Sequence, residues 1–165
     1  MKELIKRLKA SWVAFLNPEL VQTKDELTGA FNRLFFKYLT KFELARARRG
    51  QLFSIVFFDL DNLKEINDKK GHKAGDLYLK EFAQTVLCHI RSTDLFCRWG
   101  GDEFILLLSG AGPTEAERVV TRIYQKFPYF SWGISSWQEG MDLEKMIEEA
   151  DSKMYQRKRE KKIKL

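Results

Sequence analysis

Apolar and polar residues alternate along this chain with two periods, and the switches between them mark out its elements. Residues 2–16 set Leu4, Leu8, Trp12, Phe15 and Leu16 at helical spacing, and Asn17-Pro18 stops the pattern. In KDELTGAFNR (24–33), Asp25 is a candidate cap for a helix running to about residue 48, closed by Arg49-Gly50. SIVFFDLD (54–61) is β-branched and aromatic, which predicts a strand with Asp59 and Asp61 on one face. A short helical turn and a loop around Gly71 and Gly75 come next. LYLKEFAQTVLCHIR (77–91) then reads as amphipathic helix, with Leu77, Phe82, Val86 and Ile90 among its apolar positions. DLFCRW (94–99) and EFILLL (103–108) read as two strands joined across Gly100-Gly101, a hairpin signal. TEAERVVTRIYQKF (114–127) predicts a helix opened by the capping pattern of Thr114 and Glu117. YFSWGISSW (129–137) predicts a strand and DLEKMIEEADSKMYQRKR (142–159) a closing helix.

The order helix, strand, helix, strand, strand, helix, strand, helix suits a two-layer α+β domain. Its sheet is of the ferredoxin-like split βαβ kind, central, mostly antiparallel and flanked by helices. A doubly wound parallel sheet is the alternative, and the tight hairpin argues against it because hairpin-linked strands are antiparallel. A length of 165 residues fits one domain with a core that needs no disulfide or metal staple. Residues 1–22 read as a helix or linker stub, offering either a dimer contact or a helix packed on its own domain. Residues 23–165 read as the domain itself.

Composition excludes several classes. No apolar run is long enough to span a bilayer, and the first residues lack a signal-peptide cleavage site, so a cytoplasmic location is expected. Cys88 and Cys97 form no metal or redox spacing and read as small core residues. The net charge of +6 suggests a nucleic-acid partner until its distribution is examined. Residues 157–165 hold six cations and one glutamate, which leaves the rest of the chain near neutral. No nucleic-acid partner is expected; the basic end is either solvated or positioned to reach a polyphosphate.

The chemistry gathers around RWGGDEF (98–104). If the first strand neighbours the hairpin, Asp59 lies beside Asp102 and Glu103, and three converging carboxylates repel unless a cation sits among them. Oxygen-only ligands favour Mg²⁺ or Mn²⁺, which usually complete their shell with substrate phosphates. Gly100 and Gly101 leave room for a ligand at the backbone. A solvent-facing acidic turn is the plainer reading of an isolated Asp-Glu pair. Asn67 and Asp76 flank a glycine-containing loop and offer an amide and a carboxylate, the complement of a guanine edge. Lys64, Lys158 and Lys162 are candidates for phosphate contact. His72 is counted with the substrate-binding residues and is assigned no catalytic role.

RWGGDEF closely resembles the signature of GGDEF domains, the diguanylate cyclases that join two GTP molecules into cyclic di-GMP. DELTGAFNR is similar to that family's opening D-x-L-T-G-x-x-N-R. FDLDNLKEINDKKGHKAGD resembles its F-D-x-D-x-x-K-x-x-N-D-x-x-G-H-x-x-G-D, and ADSKMYQRK its closing A-D-x-x-[LM]-Y-x-x-K. The resemblance implies a palm-like, nucleotide-cyclase-like fold. It implies metal on Asp59 and the Leu60 carbonyl, with Asp102 or Glu103 completing the shell, and catalysis at Asp102 and Glu103. Asn67 and Asp76 fall on guanine-binding positions and Lys158 on a phosphate-binding lysine. Lys162 stands where the family more often has an Arg after a Gly, and here Lys161 replaces that Gly. Leu63 replaces a usual Phe. Arg91-Ser92-Thr93-Asp94 matches the family's R-x-x-D product-inhibition site, with five residues between Asp94 and Gly100, and Arg122 and Arg118 fall where a further arginine of that site lies.

The activity so implied is a metal-dependent condensation of two GTP into cyclic di-GMP and two pyrophosphates. A homodimer would carry it out, with one GTP per half-site and feedback from the product. The alternative is a catalytically weak module acting as a receptor for GTP or cyclic di-GMP.

Overall fold

The structure is a computed structural model that describes residues 22–163; the helix predicted over residues 2–16 lies outside them. The elements are β1 (Phe31–Asn32), α1 (Arg33–Ala47), β2 (Phe53–Leu60), α2 (Leu63–Lys70) and α3 (His72–Leu87). They continue with β3 (Leu95–Arg98), β4 (Glu103–Ser109), α4 (Pro113–Tyr124), β5 (Phe130–Ser136) and α5 (Leu143–Ile163). The sheet runs β1-β3-β4-β2-β5. Every pairing is antiparallel except that of β1 with β3. The α+β class and the mostly antiparallel central sheet are therefore as expected, with the short edge strand β1 added.

The sheet carries helices on both faces, which turns the expected two layers into three. Val56, Phe58 and Leu60 of β2 pack with Phe82 and Val86 of α3 and with Val120 and Ile123 of α4. Ile55 and Phe57 face the other way, toward Phe36 of α1 and Met146 and Ala150 of α5. All of β2 except Asp59 is buried. Near-continuous apolar runs such as IVFF and FILLL are what a strand covered on both sides requires. Phe82 holds the first core together, with ring centroids of Phe58, Phe104 and Phe130 at 5.6, 5.1 and 5.3 Å. Such tilted and edge contacts are the favoured aromatic geometry.

One close approach sets the position of α5. A Cβ added at Gly133 of β5 would lie 1.9 Å from the Ala150 carbonyl oxygen and 2.5 Å from the Met154 nitrogen. Strand and helix backbones thus touch at Gly133, and α5 runs on past the end of β2.

Local details depart from expectation. Asn32 caps α1, its side chain accepting from Phe35 N–H at 2.8 Å. Asp25 closes the preceding turn instead, accepting from Thr28 N–H at 2.9 Å and Thr28 Oγ1–H at 2.7 Å. Helix α4 opens at Gly112-Pro113, with no side-chain cap from Thr114, because proline at the first position already supplies the helical φ. Helix α3 begins at His72 and absorbs Gly75 and Asp76, so the expected loop shrinks to Gly71. Of the two cysteines only Cys97 is core, its thiol pushed up to about 12 by burial; Cys88 is exposed just after α3.

Candidate active site

Asp59 of β2 stands in register with Glu103 of β4, and Leu60 N–H donates to the Asp102 carbonyl at 3.0 Å. Sheet pairing alone thus brings three carboxylates to adjoining strand ends. The connecting turn closes as Trp99 and Gly100 N–H both donate to the Glu103 carbonyl, at 2.8 and 3.2 Å. The expected hairpin across Gly100-Gly101 is present, and it closes with neither glycine at a positive φ. A Cβ added at Gly100 would lie 2.8 Å from Glu103 Oε2 and would turn that carboxylate aside, whereas Gly101 faces open space.

Sequence reasoning missed Arg98. Its Nη2 and Nε donate to the Gly101 carbonyl at 2.8 and 3.3 Å, and its Nη1 lies 3.3 Å from each oxygen of Asp25. The planar guanidinium therefore ties the acid turn to the DELTG turn, a fork that a lysine lacks. The available signal was an arginine directly before the turn and a turn-forming aspartate upstream.

Burial raises the pKa of Asp59; the charges of Asp102 and Asp61 push the same way, against Lys158. Lys158 of α5 donates to Asp59 Oδ1. Burial also raises Glu103, followed by Asp102, Asp59 and Asp151, with Arg33 opposing. This end of the sheet is short of positive charge. Asp61 is committed elsewhere: Lys161 holds its Oδ2 at 2.6 Å, the Ser131 hydroxyl donates to its Oδ1 at 3.3 Å, and Tyr78 O–H donates to its carbonyl at 3.0 Å. Among the described residues no three His, Cys, Asp or Glu side chains are gathered closely enough to hold an ion unaided. Asp59, the Leu60 carbonyl, Asp102 and Glu103 are nonetheless an all-oxygen, under-compensated set. That set fits a hard divalent cation which draws its remaining ligands from phosphate.

Asn67 lies on α2 and Asp76 on α3, two helices joined by Gly71 at φ 82°. The Asn67 carbonyl accepts from Gly71 N–H at 2.9 Å. Its side-chain Oδ1 occupies the space a Gly75 Cβ would need, 2.0 Å away, beside the exposed Asp76. Lys64 on α2, His72 at the start of α3 and Lys162 near the end of α5 are exposed. A wider groove of about 530 Å³, floored by Ile66, Tyr78, Phe127 and Tyr129, is lined by none of the expected site residues.

The R-x-x-D segment forms a closed turn. Asp94 Oδ2 accepts from Arg91 N–H at 2.8 Å and Oδ1 from Ser109 N–H at 3.2 Å. Burial raises the pKa of Asp94, opposed by these two donors. Arg122 donates to the His89 carbonyl at 2.6 Å. Arg91, Asp94 and Arg122 line one cavity of about 130 Å³; Arg118 lines the adjoining groove on α4, which Arg122 also borders.

The site thus lies on a mostly antiparallel α+β sheet, with carboxylates at the ends of its central strands. A family model described as diguanylate cyclase, GGDEF domain, matches residues 22–164, and the chain belongs to the GGDEF family. Diguanylate cyclase DgcS of Shewanella oneidensis is 42% identical over 144 residues, covering 81% of this chain and 49% of that protein. Diguanylate cyclase SiaD of Pseudomonas aeruginosa, solved in complex with its activator SiaC, superposes with a TM-score of 0.80 at 28% identity. That match covers 96% of this chain and 68% of SiaD. A microbial GGDEF domain solved for its interaction with cyclic di-GMP gives 0.77 at 30% identity, over 86% of this chain and 94% of its own. The chain spans about half the length of DgcS, and no described helix is long and apolar enough to cross a membrane.

Proposed function

We propose that this domain is a diguanylate cyclase that condenses two GTP molecules into cyclic di-GMP and two pyrophosphates. It works as a two-fold dimer with one GTP in each half-site and the acid turns facing each other. The observation that carries this reading is the register pair Asp59–Glu103, with Asp102 beside it on a turn braced by Arg98. In each of two equivalent steps, a 3′-hydroxyl attacks the α-phosphorus of the other GTP. One P–O bond forms as the bond to pyrophosphate breaks in line.

Asp102, whose side chain stands at the turn, takes up the hydroxyl proton. Asp76 accepts from the guanine N1–H and N2–H₂, and the Asn67 amide meets O6 or N3. Lys158 and Lys162 bind the terminal phosphates, with Lys64 and His72 at the rim. Asp59, the Leu60 carbonyl, Asp102 and Glu103 would hold Mg²⁺ or Mn²⁺, which neutralises phosphate charge and acidifies the hydroxyl. Cyclic di-GMP feeds back through Arg91 and Arg122, whose shared cavity supports that role, with Arg118 beside Arg122 as a further arginine of the site. Use of the GTP pool assigns the domain to the cytoplasm.

Incubation with GTP and Mg²⁺ over a range of protein concentrations, followed by nucleotide chromatography, tests the proposal. Cyclic di-GMP should form at a rate rising more steeply than protein concentration, and Asp102→Asn should abolish it. No product at high protein concentration overturns the cyclase reading; retained GTP binding would then favour the receptor.

A further inference from the structure

Over its described residues, 157–163, the basic segment is helical and not a loose tail. Helix α5 continues to Ile163 and turns two of its lysines inward, Lys158 onto Asp59 and Lys161 onto Asp61. Lysines three apart share a helix face, and Asp61 follows directly on the end of β2 that carries Asp59, so the pairs form a short ladder. Both aspartate side chains are only 13% exposed.

The two rungs differ. Asp61 also binds Ser131, and Lys161 sits 5.6 Å from the centre of the Tyr124 ring and 3.5 Å from the Pro128 carbonyl. That rung fastens the helix to the sheet. Asp59 faces Glu103 and Asp102, and Lys158 is the cation that offsets its burial.

We propose that Lys158 is a resident counter-ion on Asp59, and that its ammonium must leave this carboxylate before a divalent cation takes it. The cation's place at Asp59 is taken from the cyclase reading. A mostly buried carboxylate without a counter-charge is costly, and the ammonium offsets that cost in the unloaded protein. An ammonium and a divalent cation on the same carboxylate repel each other. A cation arriving alone displaces Lys158 into water, where it has no partner. A cation arriving with nucleotide gives Lys158 phosphate oxygens in exchange. Metal and nucleotide binding are thereby coupled, each favouring the other. With Lys161 keeping the helix seated, the exchange needs only a swing of the Lys158 side chain, a flexible four-carbon arm.

Mn²⁺ titration followed by electron paramagnetic resonance tests the coupling, without nucleotide and with 3′-deoxy-GTP, which lacks the attacking hydroxyl. Lys158→Met should tighten binding of Mn²⁺ alone by about tenfold, the factor for one charge-assisted hydrogen bond lost as competitor. The enhancement by nucleotide should shrink in the same variant. Lys161→Met removes an equal charge one turn on; it should lower the melting temperature and leave Mn²⁺ affinity within about twofold. Unchanged or weaker metal-only binding in Lys158→Met overturns the proposal, as does equal tightening in Lys161→Met. Should Lys158→Met not fold, ¹⁵N NMR of the lysine ammonium groups in the unmodified protein decides. The Lys158 signal should be protected without metal and move to a new position when Mg²⁺ and 3′-deoxy-GTP are added, as phosphate oxygens replace the Asp59 carboxylate; an unmoved signal overturns the proposal. None of these readouts needs turnover, so a protein that binds metal this way but makes no cyclic di-GMP would retain the exchange and lose the cyclase.

Discussion

Gly75 is where the stability of α3 and the reading of guanine are set against each other. A Cβ there would lie 2.0 Å from Asn67 Oδ1, 2.9 Å from its Cγ and 3.2 Å from Leu63 Cδ1. Gly75 has no positive φ, so alanine meets no backbone strain. In a helix interior alanine is favoured over glycine by about 1 kcal/mol. The obstruction is the end of an asparagine side chain, which can rotate, while the leucine methyl has to give only slightly. Gly75→Ala should therefore melt no lower than the unmodified protein, and up to about 4 °C higher. Its Asn67 amide, however, is driven from its place beside Asp76. One amide–base hydrogen bond lost at about 0.5–1.5 kcal/mol weakens GTP binding roughly twofold to tenfold. Calorimetric titration of 3′-deoxy-GTP in Mg²⁺, beside a melting curve, measures both effects. Asn67→Ala should show a similar loss, and adding Gly75→Ala to it should cost little more, since the two act through one contact. Full affinity in a folded Gly75→Ala protein would refute the reasoning, as would a melting point many degrees lower.

Gly133→Ala should behave in the opposite way. Its Cβ would meet the Ala150 carbonyl at 1.9 Å and the Met154 nitrogen at 2.5 Å, backbone atoms that cannot rotate aside, so a loss of about 3 kcal/mol is expected in urea unfolding. Glu103→Gln should stabilise the metal-free protein. Burial, then Asp102, Asp59 and Asp151, raises the Glu103 pKa, so its folded state favours the proton. The contribution of Glu103 to stability is full below the ordinary value of 4.5 and is lost as pH rises through the raised one. The variant should thus melt about 2 °C higher at pH 7, a shift reduced for partial exposure, with the gain gone near pH 4. A gain that persists in acid contradicts this account. Arg91→Ala should raise the cyclic di-GMP concentration for half-inhibition about tenfold, the factor for one charge-assisted contact. Unaltered inhibition would remove Arg91 from that site.

The elements and the chemical inventory were legible in the sequence because they rest on local rules. The runs IVFF and FILLL announce buried strands, and their period puts Asp59 and Glu103 at strand ends. Asn67, Asp76 and the acid turn belong to short signatures that carry their own spacing. The pairing of charges far apart in the chain was not legible. Arg98 reaches Asp25 across 73 residues and Lys158 reaches Asp59 across 99. Nothing local distinguishes Asp59, held by Lys158 and in register with Glu103, from Asp61, held by Lys161 and Ser131. Nor did the alternation of apolar residues reveal the second helical layer, since α1 and α5 are assigned to a face only by packing. Hydrophobic period and turn chemistry act over a few residues and so can be read directly. Which ammonium meets which carboxylate depends on where α5 crosses the sheet, and the backbone contact at Gly133 determines that crossing.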